Sequence, residues 1–205
     1  MRLEILTTQQ RELLPFIASF RRSFYLVGGT AIALHVGHRR SIDFDLFTIK
    51  KLNRTRIKQK VFELPYSKQT IFDDIDQVHF LVNNVKTTFF YYPYPVEHNE
   101  MLNGVISMPS LLSLSAMKAF ALGRRAKWKD YVDLYFLLKE SFSIKDISTE
   151  AERIYGQLFS EKLFREQLAF HKDIDYSEQV EYMPGVDVIG QDIKDFLIDK
   201  SLQNI

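Results

Sequence analysis

Two adjacent glycines, Gly28 and Gly29, separate two apolar runs of different character. Phe24 to Val27 is short and apolar and reads as a β-strand. Thr30 to Val36 reads as a helix, which Gly37 can end. A strand passing into a helix through a glycine pair lets the backbone approach a ligand closely. The helix start offers unpaired N–H groups and a positive dipole end to a phosphate, and Thr30 adds a hydroxyl beside it. The later glycines and the lysine of a Walker loop or a dinucleotide fingerprint are missing.

The next segment alternates. Ile42, Phe44 and Leu46 take one side of an extended Ser41–Phe47; Ser41, Asp43 and Asp45 take the other. Two carboxylates on one face, with Cα atoms roughly 6.5–7 Å apart, can reach one cation or two cations ~3.5–4 Å apart. Oxygen ligands without cysteine favour magnesium or manganese. The same spacing occurs at Asp74/Asp76 and Asp173/Asp175, so spacing alone carries little. Only Asp43 and Asp45 sit in an apolar strand, where unpaired carboxylates are costly, and only they follow a glycine turn. Between turn and carboxylates lies His35-Val-Gly-His-Arg-Arg40. Arg39 or Arg40 can hold a triphosphate tail or an acceptor phosphate, or simply pair with acids. His35 and His38 suit hydrogen bonding better than metal ligation.

Around this centre the pattern predicts a helix over Thr8–Phe20 capped by Thr7 or Thr8, and another over Asn53–Leu64 stopped by Pro65. Gln77–Val82 and Lys86–Tyr92 form a hairpin pattern through Asn83-Asn84. Beyond Pro93 and Pro95 the chain turns helical. Leu111–Leu138 is one long stretch interrupted near Gly123–Lys127, and helices continue from Ser143 with a looser stretch near Tyr182–Gly185. We divide the chain into an α/β catalytic unit, 1–105, and a helical domain, 106–205. Lys118 stands in an otherwise apolar helix and must snorkel or face a cleft. Antiparallel packing brings it near Asp130 at the start of the next helix; Asp133, three residues on, is an alternative partner. Arg124, Arg125, Lys127 and Lys129 make a second basic cluster, next to Trp128.

The bulk numbers exclude several classes. Of 205 residues 46% are apolar, enough for a sizeable core. A net charge of +1 argues against coating nucleic acid by bulk electrostatics. Cysteine is absent, which removes disulfides and thiolate metal sites. The N-terminus is too polar for a signal peptide, and no apolar run approaches the ~20 residues of a membrane span. The expectation is a soluble cytoplasmic protein with no membrane association.

Gly-Gly followed at a distance by Ser41-x-Asp43-x-Asp45 resembles the signature of the polymerase-beta-type nucleotidyltransferase superfamily. The fuller string from Gly28 to Phe47 is similar to its AbiEii/AbiGii-like toxin branch. Met117 to Leu138 resembles that branch's distal motif, a lysine on one helix and an aspartate on the next. The likeness covers roughly residues 24–47 and 109–138. It implies an α+β fold: a small mixed sheet with flanking helices, a C-terminal helical domain, and a site in the cleft between them. By that likeness Gly28, Gly29 and Ser41 would match the nucleotide phosphate site, Asp43 and Asp45 the metal ligands, Lys118 a phosphate-holding lysine and Asp130 the distal acid. It also implies a nucleoside triphosphate substrate, Mg2+ or Mn2+, an acceptor hydroxyl on RNA (tRNA among the candidates) and a cognate antitoxin. One departure stands out. Many superfamily members carry a third carboxylate on a later strand, and neither Gln77–Val82 nor Lys86–Tyr92 has one. That leaves room for a non-catalytic nucleotide- or protein-binding module. A small-molecule acceptor and a metal nuclease are further alternatives.

Overall fold

The computed structural model describes residues 1–203. Five strands, β1 (Tyr25–Val27), β2 (Phe44–Thr48), β3 (Lys68–Asp73), β4 (Gln77–Val82) and β5 (Val85–Tyr91), form one sheet in the order β1-β2-β5-β4-β3. β2 runs parallel to β5 and the other pairings are antiparallel, so the sheet is mixed, as expected. Asn83 and Asn84 turn the β4–β5 hairpin with φ of 51° and 62°, the left-handed region that asparagine tolerates. The expected strand around the carboxylates is shorter than its alternation suggested. It starts at Phe44, and Ile42 is 52% exposed rather than packed with Phe44 and Leu46.

Three strands escaped the sequence. β3 is an edge strand exposed at nearly every position, so it shows no alternation to read. A second sheet pairs β6 (Glu100–Leu102) with β7 (Ile106–Met108), and β7 lies against β1. Its turn, Asn103-Gly104, is left-handed at both residues, a hairpin signal present in the sequence. Residue 105, where the sequence was divided, falls between these two strands.

The helices follow their caps. α1 (Thr8–Ala18) opens with a capping box between Thr7 and Gln10. α2 (Gly28–Val36) begins on Gly28 itself, and Gly37 ends it with φ 79°. α3 (Arg54–Phe62) is capped by Asn53 and α4 (Leu111–Leu122) by Ser110. The expected break then leads to α5 (Trp128–Glu140), α6 (Ile144–Tyr155), α7 (Glu161–Ala169) and α8 (Gly190–Leu202). The loose stretch is longer than predicted, running from 170 to 189 between α7 and α8.

That stretch is a strap with backbone bonds at both ends of the site. Arg40 N donates to Glu181 O (2.8 Å) and Met183 N to His38 O (3.1 Å). Trp128 N donates to Asp175 O (3.0 Å) and Asp175 N to Ala126 O (2.7 Å). The loop before β2 and the loop between α4 and α5 are thereby tied together. Beneath the sheet, Phe16, Phe20 and Phe24 pack edge-on around Phe89 with centroids 4.7–6.5 Å apart. These buried rings fix β1, β2 and β5, the strands that carry the site.

Candidate active site

The glycine pair is shaped by its neighbours. A Cβ on Gly28 would lie 2.2 Å from Asp45 Oδ2, and Gly28 has φ 75°. A Cβ on Gly29 would lie 2.5 Å from Arg39 Nη2 and 3.1 Å from Ser41 Oγ. The β1–β2 register sets Val27 opposite Asp45, so the bend at the end of β1 lies against that carboxylate. Gly28→Ala therefore strains the backbone by about 1–2 kcal/mol and also displaces Asp45. We expect urea denaturation of G28A to show that loss, and any activity that depends on Asp45 to fall steeply. A G28A protein with wild-type activity would mean that the contact is idle.

Thr30 and Arg39, expected to touch a phosphate, are turned inward. Thr30 is 1% exposed, and its hydroxyl points to the carbonyls of Ser41 (3.2 Å) and Asp43. Gln10 Nε2 donates to the same Ser41 carbonyl at 2.8 Å. These bonds anchor the segment that carries the carboxylates. Arg39 is 2% exposed; its Nε and Nη2 donate to the two oxygens of Asp133 at 2.7 and 2.8 Å, and Nη1 donates to Arg40 O at 2.9 Å. A guanidinium spent in this way is a structural brace. Ser41 stays beside Gly29, nearly buried.

Asp43 and Asp45 are both partly exposed, and the carboxyls of both are pushed up from their ordinary values. For Asp43 burial is the main cause and the charge of Asp45 the next. For Asp45 burial again dominates, opposed by the Thr88 hydroxyl and by Lys86, Arg125 and Lys118. Thr88 is the residue opposite Asp45 on β5, so a hydroxyl and not a third carboxylate stands beside it there. Among the described residues no group of three or more His, Cys, Asp or Glu is arranged to hold a metal. Two under-neutralised carboxylates still fit a hard divalent cation whose other positions are filled by water and phosphate oxygens.

Within the field of Asp45 lies a buried ionic chain. Lys118, 6% exposed, places Nζ 2.6 Å from Asp130 Oδ1 and 3.0 Å from Asp133 Oδ2. Asp130 also accepts from Arg125 Nε at 2.9 Å. His38 Nε2 lies 2.7 Å from Asp133 Oδ1 and donates to it, since that oxygen is ionised. Burial alone would push Lys118 down; Asp130 and Asp133 more than reverse this, so the ammonium is raised. Burial would likewise raise Asp133, but Arg39, Lys118 and the His38 bond hold it well below the usual carboxylate range. The expected Lys118–Asp130 pair is present, and Asp133, the alternative partner, is present as well. It is the hub joining Lys118 to the β2 approach.

Three contributors were missed or underweighted. Arg125, half-exposed, connects Asp130 to the field of Asp45. Lys86, at the start of β5, acts on both aspartates. Glu178, on the strap, pairs with Lys127 and Lys129 and lies within the field of Asp43. Nothing local in the sequence marks Glu178; only the closure of the strap brings it here.

The mixed sheet with its flanking helices is the fold of known nucleotidyltransferases. A family model described as "Nucleotidyl transferase AbiEii toxin, Type IV TA system" matches residues 16–78. "Uncharacterized protein aq_aa25" of Aquifex aeolicus (strain VF5) is 31% identical over 160 residues, 75% of this chain and 77% of that one. The fold is shared with MenT4, a nucleotidyltransferase toxin from Mycobacterium tuberculosis H37Rv, with TM-score 0.61 and 13% identity over 94% of this chain and 80% of that one. JHP933 from Helicobacter pylori has TM-score 0.57 and 18% identity over 96% and 91%. The chain belongs to the AbiEii nucleotidyltransferase toxin family. No helix among the described residues is long and apolar enough to cross a membrane.

Proposed function

We propose that the protein transfers a nucleoside monophosphate from a nucleoside triphosphate to an acceptor hydroxyl on RNA, with tRNA the leading acceptor class, and that a cognate antitoxin opposes it. The observation that carries this reading is that two carboxylates raised by burial, Asp43 beside the glycine bend and Asp45 packed against Gly28, lie within the field of Lys86, and Asp45 also within that of Arg125 and Lys118. Asp43 and Asp45 would hold magnesium or manganese, which when bound supplies charge neutralisation at the phosphates and a more acidic acceptor hydroxyl. The backbone at Gly28 and Gly29, with Ser41, would face the phosphate oxygens at the start of α2. Lys118, fixed by Asp130 and Asp133, would oppose the charge that develops on departing pyrophosphate without having to reorganise. Arg125 and Lys86 extend the same field. The 1–105 unit would then supply the carboxylates and the 106–205 unit the lysine.

Incubating the protein with α-labelled nucleoside triphosphates, magnesium and total RNA tests the proposal. The expected result is label in an RNA fraction, lost with EDTA and lost in Lys118→Met. Label in a small molecule alone would replace the RNA acceptor. Label in no product under any nucleotide would overturn the transfer reading.

A further inference from the structure

A cavity of about 600 Å³ lies away from the carboxylates. It opens between the turn after α1, the loop after β2 and the first turn of α3. Thr48, the last residue of β2, lines it; Asp45 lies three residues back along the strand, about 10 Å away. Six cations surround this cavity: Arg21, Arg22, Lys50, Lys51, Arg56 and Lys60. No acidic side chain lines it. Among the described residues none of the six pairs with a carboxylate, whereas their neighbours Arg54 and Lys58 both pair with Asp73. The chain's net charge is only +1, so these six carry more than its whole positive excess.

This arrangement is unfavourable in the free protein for two separate reasons. Like charges crowd one concavity that no acidic side chain lines. The first turn of α3 also holds arginines and no acid, against the sense of its helix dipole. A row of anions at the mouth would relieve both. The cations come from three elements around a half-open mouth, and five of the six are exposed on flexible stems. That spread matches consecutive phosphates along a strand better than one compact polyphosphate. Phe20, Phe24 and Ile57 give the floor an apolar part against which a sugar or base can rest.

We propose that this cavity is a second, non-catalytic site that grips the phosphodiester backbone of the acceptor RNA, remote from the end that reacts. The inference rests on the RNA-acceptor reading above. It makes the far end of the sheet a positioning surface, with Arg21, Arg22, Lys50, Lys51 and Arg56 as its contacts and Lys60 held back by Ser19 O (3.3 Å).

The test replaces those five exposed residues together by Gln in the full chain. Binding of a labelled total tRNA pool is measured from low to moderate salt beside wild type and Asp43→Asn. In the quintuple variant we expect affinity to drop at least ~10-fold and the slope of log K against log salt to shrink by about 2–3.5. The KM for RNA should rise while the rate at saturating RNA holds, and the RNA-free melting temperature should stay level or rise. Asp43→Asn should bind RNA as wild type does. Unchanged affinity and slope in the quintuple variant, with RNA transfer intact in wild type, would overturn this site and leave the proposed activity standing. A wild-type protein that neither binds nor labels RNA would overturn both. Displacement of RNA by micromolar inorganic tripolyphosphate would also overturn the strand site, by showing a compact polyphosphate site instead.

Discussion

Asp45→Asn abolishes nucleotidyl transfer and leaves the fold at least as stable as wild type. The loss of rate should reach on the order of 10³-fold, the scale on which preorganised charge acts in a dry site. The stability arm follows from titration. Burial raises the folded-state values of Asp43 and Asp45 above their ordinary ones, and the charge of Asp45 raises Asp43 further. An acid raised by folding favours the folded state fully below its unfolded pKa, and that advantage is lost as pH rises through the raised value. Above those raised values both acids are charged at a cost, and an isosteric amide at 45 removes part of it. Thermal denaturation in EDTA should show D45N melting at or above wild type, with the difference vanishing on acidification. Magnesium should raise the melting temperature of wild type and leave that of D45N unmoved. An active D45N protein would remove the carboxylate pair from the chemistry. A strongly destabilised one would show that Asp45 is a structural acid.

Local chemistry made much of this site legible in the chain. Gly28 and Gly29 had to be glycines, and the coordinates give the reason in Asp45 and Arg39, which crowd them. Strand periodicity predicted Asp43 and Asp45 on one face; the strand begins only at Phe44, and the two acids are near enough that the charge of Asp45 raises Asp43. An apolar helix carrying one lysine announced a buried partner, and Lys118 meets Asp130 and Asp133. What stayed hidden depended on distant closure. Arg39 looked like a phosphate clamp because sequence shows an arginine beside a carboxylate pair but not the aspartate 94 residues later that claims it. Thr30 looked available because its bonds to the carbonyls of Ser41 and Asp43 exist only once the loop has folded over α2. β3 has no buried face to write a pattern. Lys86 and Glu178 reach the cleft through a sheet register and a strap, neither of which leaves a local trace.

Asp133→Ala should be the most destabilising single change in the ionic chain. The side chain is fully buried, and its two oxygens serve Arg39, Lys118 and His38 at 2.7–3.0 Å. Removing it leaves one acid, Asp130, against three cations, Arg39, Lys118 and Arg125, two of them buried. Breaking a buried pair in this way costs about 3–5 kcal/mol, a large part of the ~5–15 kcal/mol that holds a domain together. Asp133→Asn should cost nearly as much, because its NH2 faces donors where an acceptor is required. Urea denaturation at neutral pH measures both. The pH dependence supplies a second readout. An acid held well below its ordinary value stabilises the fold above the unfolded pKa and loses that contribution as pH falls through the folded one. Wild type should therefore weaken steeply on acidification below about pH 4, and D133N should show a shallower acid limb. Arg39→Met combined with Asp133→Leu should recover part of the loss, since an apolar pair in place of a buried ionic one is often neutral. A loss below about 1 kcal/mol in D133A would mean that water enters and solvates Arg39. The chain would then be a polar channel behind the cleft, and Lys118 would owe its position to Asp130 alone.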